Sequence, residues 1–508
     1  MSDDSVRSAL RSSDQLVVVE APAGCGKTYQ GADYARDASM EVGNGRVLVL
    51  THTHAAVDAF ADGTKDRQRN VDIRTIDSLL VQIASAYHTA IGFPPDVGAW
   101  ACSQPDRYGI IAERVASLLR DSRIVSRSLV DRYPVVVCDE HQDATSDQET
   151  AILALHGAGA RVRIFGDPMQ WIFGGRGRQA KNVDAGRWND LICKADRFER
   201  LDTPHRWENG AIELGKWILN ARNNLSAGDR VDLRPPWPPG LKVLIADNVS
   251  ARPSGYQIAD TQSAAIYQAA RAANPLLVLA AYTETTKAAH ALFNRRLILW
   301  EGHVRDFLPS LVTAMRQQQG NPQKIGEAAV DFLESVTTGF TRSNFGNRLL
   351  QELGEGCSRI CRGKPARLQE LASLILAQPN HRGVAALFTR LEHLQREDQS
   401  FSSICFDRRR EFWEAIKVGD FDDGDEGLAE LTRRRTYAHS SVPLRAISTI
   451  HKAKGLQSEN IMIMACDGKH FTDNCKARCE LYVAMSRAQK TLTIVASASN
   501  PSPLVVLN

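Results

Sequence analysis

Short apolar runs rich in β-branched residues alternate with helical patterns along most of this chain. That alternation limits the fold more than any other feature. The runs cover residues 16–20, 47–51, 71–76, 134–139, 162–166, 241–246, 276–282, 444–450, 461–465 and 492–496. Strands interleaved with helices imply parallel sheets joined by crossover helices. There are enough runs for two such sheets, so the expected class is α/β with two domains. Two intervals break the rhythm. Residues 79–130 are helix-like around a loop, GFPPDVG, at Gly92–Gly98. Residues 296–435 carry helical patterns such as PARLQELASLILAQ, then an acidic stretch from Gly419, GDFDDGDEG, and the triplet Arg433–Arg435. Both read as insertions into the α/β domains. The segment RPPWPPG, Arg234–Gly240, reads as a stiff loop. The triplets Arg408–Arg410 and Arg433–Arg435 read as solvated faces or linker ends, with phosphate contact the alternative.

The first run opens a phosphate site. Leu16–Thr28 reads LVVVEAPAGCGKT: a buried strand, a turn of small residues, and a helix starting at Lys27 and Thr28. Backbone N–H groups of Ala23, Gly24, Cys25 and Gly26 would close on an anion, because glycine has no Cβ to block the approach and the helix N-terminus is electropositive. Lys27 would reach the β- and γ-phosphates, and the Thr28 hydroxyl would hold Mg²⁺. The strict pattern has Gly where this chain has Ala21. The bland alternative is a glycine-containing strand–helix turn followed by a chance Lys-Thr.

A second run delivers acid. RYPVVVCDEHQD, Arg132–Asp143, puts adjacent carboxylates at the C-terminal end of a strand, where α/β folds bind ligands. Asp139 would hold Mg²⁺ and Glu140 would polarise the attacking water.

Composition sets the outer bounds. The chain has 508 residues, 62 basic against 59 acidic, and a net charge of +3. This excludes a strongly basic coat protein but leaves room for a local nucleic-acid track. The start, MSDDSVRSAL, lacks an apolar core, and no run is long enough to span a bilayer, so a soluble, cytoplasmic protein without a membrane partner is expected. Ten scattered cysteines suit reduced thiols. Cys357 with Cys361 and Cys475 with Cys479 could form a four-thiolate metal site. Two helices carrying buried cysteines are the preferred reading, because the close spacing of zinc knuckles is missing.

Through RYPVVVCDEHQD the chain resembles the UvrD/Rep/PcrA group of superfamily 1 helicases, whose second motif is DEXQD. THTHAAVDAF (Thr51–Phe60) and RTIDSLL (Arg74–Leu80) resemble the group's DNA-contacting segments. GDPMQWIFGGRG (Gly166–Gly177) resembles GDxxQsIYgfRGA, and LDTPHRW (Leu201–Trp207) resembles LxxNYRS. STIHKAKGL (Ser448–Leu456) resembles TxHxaKGLE, and LYVAMSRAQKTL (Leu481–Leu492) resembles LYVAxTRAxxxL. Ala21 fits this group's phosphate loop.

The resemblance implies two RecA-like parallel-sheet motor domains, each with a mainly helical insertion. The first would span residues 1–78 and 131–205 with its insertion at 79–130, the second 206–295 and 436–508 with its insertion at 296–435. It implies an ATPase using Mg²⁺, coupled to 3′ to 5′ movement on single-stranded or tailed duplex DNA. Arg206 and Arg487 would meet the γ-phosphate and Gln170 would sense it. His205, Gly455 and Gln457 would complete the nucleotide site. Thr51, His52, Thr53, Thr75, Trp171, Phe173 and His451 would form the DNA track.

Departures qualify this. Val6 stands near the position of the family's adenine-reading Gln, His205 replaces its Tyr, and Gln457 replaces a Glu, so other nucleoside triphosphates are expected to enter. Gly175 replaces a stacking aromatic, leaving Trp171 or Phe173 to supply it. The insertions are short. Compact chains of this kind resemble the helicase subunit of the Gabija anti-phage system, whose partner is an OLD-type nuclease. The alternatives are a repair or recombination helicase, and a nucleotide-gated switch that binds DNA or a nuclease without processive unwinding.

Overall fold

In a computed structural model, residues 2–52, 54–64, 70–102, 106–172, 178–247, 260–300, 307–437 and 443–507 are described. The chain divides into two compact units, residues 1–298 with 444–508, and residues 299–443.

The larger unit holds two six-stranded sheets. The first comprises β1 (Leu16–Glu20), β2 (Val47–Thr51), β3 (Val71–Thr75), β4 (Val135–Cys138), β5 (Arg161–Gly166) and β6 (Arg197–Arg200), in the order β3-β2-β4-β5-β1-β6. Every pairing in it is parallel. Its strands are runs of Val, Leu and Ile rather than alternating patterns, because both faces are covered. Leu16, Val18, Leu48, Leu50, Val136, Val162 and Ile164 pack into the core on one side. Their sequence neighbours Val17, Val19, Val47, Val49, Val135, Val137 and Phe165 pack into the core on the other. Period-two alternation of side chains thus feeds two cores from one strand. Strand β6, RFER, is an edge strand with charged residues, and no apolar run marked it.

After the short β7 (Val231–Asp232), the second sheet is built from β8 (Leu241–Ile245), β9 (Leu276–Ala280), β10 (Ile298–Leu299), β13 (Arg445–Thr449), β14 (Ser458–Cys466) and β15 (Ala488–Ala496). Its order is β10-β13-β9-β14-β15-β8, and the pairings among β8, β9, β13, β14 and β15 are parallel. A last strand, β16 (Val505–Val506), pairs with β7. The α/β class with two RecA-like parallel sheets therefore holds.

Residues 76–132 form four helices, Ile76–Ala86, Val97–Cys102, Arg107–Asp121 and Arg123–Arg132. They pack over the Leu16 face of the first sheet. Among its described residues the smaller unit is mainly helical, from Leu308–Gln317 to Gly424–Tyr437, with one antiparallel pair, β11 (Thr337–Thr338) and β12 (Cys405–Phe406). Phe332, Phe388 and Phe412 lie in its core. No helix among the described residues is long and apolar enough to cross a membrane.

Candidate functional site

The site forms at the C-terminal ends of the first sheet's strands, the ligand-binding edge of parallel α/β sheets. β1 leads into the turn, and the helix Lys27–Glu41 begins directly after Gly26. Gly24 and Gly26 have φ of 79° and 82°. A Cβ on Gly24 would stand 2.8 Å from Arg206 Cβ and 2.9 Å from the Trp207 ring. One on Gly26 would stand 3.1 Å from His205 Cδ2. Both the left-handed backbone and the close approach of residues 205–207 require glycine. Ala23 N–H donates to the Tyr482 hydroxyl at 2.8 Å, so a fully buried tyrosine beside the second sheet holds the loop. Ala21 and Cys25 are buried, and burial pushes the Cys25 thiol up to about 12, so it stays protonated.

Lys27 Nζ lies 3.3 Å from Asp139 Oδ1 and pairs more closely with Glu140 Oε1. Burial works against its charge, but the two carboxylates raise its affinity for the proton well above the usual lysine range. Burial also pushes both carboxyls up. At Asp139, which is 2% exposed, burial prevails. At Glu140, Lys27 and then Lys454 outweigh it and hold the carboxyl well below its usual range. The shift favours an ionised Glu140, the state in which a carboxylate can accept a hydrogen bond from a water. Its backbone sits at φ 53°, a strained conformation for a residue with a side chain, costing on the order of 1–3 kcal/mol. Gln142 fixes the carboxylate, donating from Nε2 to Glu140 Oε2 at 2.5 Å. The Gln142 Oε1 accepts from Asp167 N–H at 3.0 Å.

Asp167 follows β5 and anchors a buried relay. Its Oδ2 accepts from Gln170 Nε2 at 3.0 Å, and Gln170 Oε1 accepts from Arg487 Nη2 at 3.2 Å. Arg222, from the helix Ile212–Ala227, donates from Nη2 to Asp167 Oδ1 at 2.6 Å and Glu20 Oε1 at 2.8 Å. Arg222 carried no sequence signal; it is one arginine on an amphipathic helix. A second buried bridge joins the motif after β4 to the loop before β14. Lys454 Nζ donates to Asp143 Oδ1 and Oδ2 at 2.7 and 2.6 Å and to the Gln170 carbonyl at 2.7 Å. Burial pushes the Asp143 carboxyl up to about 6 despite Lys454.

Arg206 donates to the Ser486 carbonyl, and Trp207 Nε1 donates to the Ala488 carbonyl at 2.7 Å. Burial and then Arg487 bring the Arg206 guanidinium down to about 9. Burial likewise lowers Arg487. Two buried, mutually repelling guanidiniums beside Lys27 and a glycine cradle fit a polyanion such as a triphosphate. Thr28, partly buried, and Asp139 supply hard oxygens that suit Mg²⁺.

The remaining expected positions divide. His205 bonds through Nδ1 to Glu208 Oε1 at 2.5 Å and through Nε2 to Asp3 Oδ1 at 3.2 Å. Burial opposes its proton, but Asp3 and Glu208 outweigh that and raise it above the usual histidine range. Gly455 has φ 85°, and Gln457 Oε1 accepts from Gln489 Nε2 at 3.1 Å. Thr51 is 0% exposed. Thr75 caps the helix Ile76–Ala86, its hydroxyl accepting from Ser78 N–H at 3.2 Å. His451 Nε2 lies 3.1 Å from the Ile172 carbonyl, and Trp171 is half-buried. Thr53, Phe173 and Gly175 lie outside the described residues.

The cysteines need one correction. Cys475 and Cys479 share the helix Cys475–Ser486, but Cys357 and Cys361 follow the helix Asn347–Glu355, outside any helix. Cys357 has φ 55°, just past that helix's end. Among the described residues, no group of three or more His, Cys, Asp or Glu is arranged to hold a metal ion.

Residues 3–233 match the family model of an AAA domain, and residues 445–495 match that of a UvrD-like helicase C-terminal domain. Together they support a UvrD/Rep-like superfamily 1 helicase. The search of curated proteins found no match. The helicase's AAA match contains the glycine cradle, Asp139, Glu140 and Gln170, and its C-terminal match contains Lys454 and Arg487. Nucleotide binding, commonly with Mg²⁺, and DNA binding go with these domains.

Proposed function

We propose that this helicase hydrolyses a nucleoside triphosphate between its two parallel sheets and uses the cycle to move 3′ to 5′ along single-stranded DNA. The observation that carries this reading is the convergence of Lys27, Glu140, Gln170, Arg206 and Arg487, with Gln170 bonded to Arg487.

In the proposed cycle the backbone from Ala23 to Gly26 cradles the phosphates, and Lys27 exchanges its carboxylate partners for phosphate oxygens. Thr28 and Asp139 would hold Mg²⁺, which when bound neutralises developing charge on the phosphoryl oxygens. Glu140, steadied by Gln142, orients the attacking water. Arg206 and Arg487 answer the charge gained in the transition state, which tightens one sheet on the other. A shift of Arg487 towards phosphate would pull on Gln170 and so report the nucleotide to Trp171, the next residue in the chain, in the proposed DNA track of Thr51, His52, Thr53, Thr75, Trp171, Phe173 and His451. His205, Gly455 and Gln457 are proposed to line the nucleoside end, where Asp3 and His205 offer polar contacts without insisting on adenine.

The trimmed insertions favour work with a partner. An OLD-type nuclease in a Gabija-like complex is the proposed one, tested by co-purification of the co-expressed pair. The switch reading is favoured by Thr51, which is buried, and Thr75, which is occupied as a cap.

Hydrolysis of each NTP, with and without single-stranded DNA, tests the proposal in wild type, Lys27→Ala and Glu140→Gln. DNA-stimulated hydrolysis lost in both variants supports it. Unstimulated hydrolysis, with no displacement of a 3′-tailed duplex, supports the switch instead.

A further inference from the structure

His52 enters the proposed DNA track by motif position alone, and its surroundings give it a second place, beside Glu140. Strands β2 and β4 pair in parallel with Leu50 opposite Cys138, and Asp139 N–H donates to the Leu50 carbonyl at 2.8 Å. Two residues beyond those paired positions, past the strand ends, stand His52 after β2 and Glu140 after β4. The Nε2 of His52 is buried and makes no hydrogen bond. Such a nitrogen costs on the order of 1–3 kcal/mol to leave unsatisfied. Burial first, then His141, hold the ring neutral, with its proton affinity brought down to about 3 although Glu140 pulls the other way. His141 also has both ring nitrogens buried without a hydrogen bond, but it is turned to the helix Ser146–Gly157, its Nε2 3.7 Å from Glu149.

Both Glu140 oxygens are taken, Oε1 by Lys27 and Oε2 by Gln142. When Lys27 turns to phosphate, Oε1 loses its partner. We propose that His52 is a positioning residue for Glu140, its Nε2–H donating to the oxygen that Lys27 releases. Gln142 and His52 then hold the carboxylate from two sides, and its remaining lone pair faces the attacking water. The inference rests on the hydrolase reading above.

The test compares the full-length wild type with His52→Phe, which keeps a planar ring but has no N–H, and His52→Gln, which restores a donor. Steady-state hydrolysis of ATP–Mg²⁺ gives kcat and KM, and a fluorescent ADP analogue reports binding. His52→Phe should lower kcat on the order of 10- to 100-fold, the scale set by a misplaced catalytic group. Its KM and ADP affinity should stay within about twofold of wild type, the split expected when only the transition state loses support. His52→Gln should recover most of kcat. Wild-type kcat in His52→Phe overturns the inference, as does a loss of ADP binding that parallels kcat, or a His52→Gln no better than Phe. A wild type that hydrolyses no nucleotide overturns the hydrolase reading as well. That outcome is distinct, because the inference fails alone only where wild type hydrolyses.

Discussion

The two sheets bring opposite charge to one place. The first supplies the carboxylates Glu20, Asp139, Glu140, Asp143 and Asp167, with Lys27 its own cation in the cradle. Facing them are Lys454 and Arg487 from the second sheet's loops, with Arg206 and Arg222 from the segment that leads into it. Each side is costly alone, since buried charges of one sign repel and lose hydration. Together they close into relays: Lys454 on Asp143, and Arg487 to Gln170 to Asp167 to Arg222. Lys27 resting on Asp139 and Glu140 is the part of this balance that a triphosphate would take over. A site organised this way joins nucleotide occupancy to the fit between sheets, because the same cations serve both.

The sharpest way to break the comparison is on the acidic side. Glu140→Gln should lower kcat by about 10²- to 10⁴-fold while nucleotide still binds, measured by steady-state hydrolysis and equilibrium binding. Retained turnover would remove Glu140 from the chemistry. On the cationic side, Arg487→Ala should cost about 10²- to 10³-fold in kcat. If Arg206→Ala alone had that effect, the charge would come from one guanidinium rather than two.

Stability separates relay from catalysis. Arg222→Met leaves Asp167 buried without its cation and Glu20 with only the exposed Arg200, and should cost about 3–5 kcal/mol in urea unfolding. A change within the noise would mean that water satisfies both carboxylates. The Asp143–Lys454 bridge is expected to couple by about 0.5–3 kcal/mol in a cycle of Asp143→Asn, Lys454→Met and the double variant. Additive effects there would mean the sheets do not depend on that contact. The smallest effect belongs to Thr75→Ala, about 1 kcal/mol for a lost helix cap. If that substitution instead abolished DNA stimulation at unchanged stability, Thr75 would be a DNA contact and its cap role incidental.

Much of the fold was legible before any coordinates. The apolar runs located the main strands of both sheets, because fully covered strands are continuous stretches of Val, Leu and Ile. Strand β6 escaped because an edge strand reading RFER has no such run. Helical residues 79–130 were legible as a block, although the first helix begins at Ile76, under the Thr75 cap. Lys27, Asp139, Glu140, Gln170, Arg206 and Arg487 could be named from motifs. Arg222, Tyr482 as the loop's anchor and His52 as Glu140's neighbour could not. Each does its work through a partner more than fifty residues away in the chain.

The sequence alone determined the local devices: strands that must be covered on both faces, a turn that needs glycine, and a carboxylate pair at a strand end. These follow from backbone sterics and side-chain periodicity over a few residues. The tertiary structure alone decided how charge is shared among them. It holds the Glu140 carboxyl well below its usual range while burial pushes Asp139 up, encloses Thr51 and leaves a nitrogen of His52 buried without a partner. Burial and Coulomb terms depend on distance in space, and distance along the chain does not encode them.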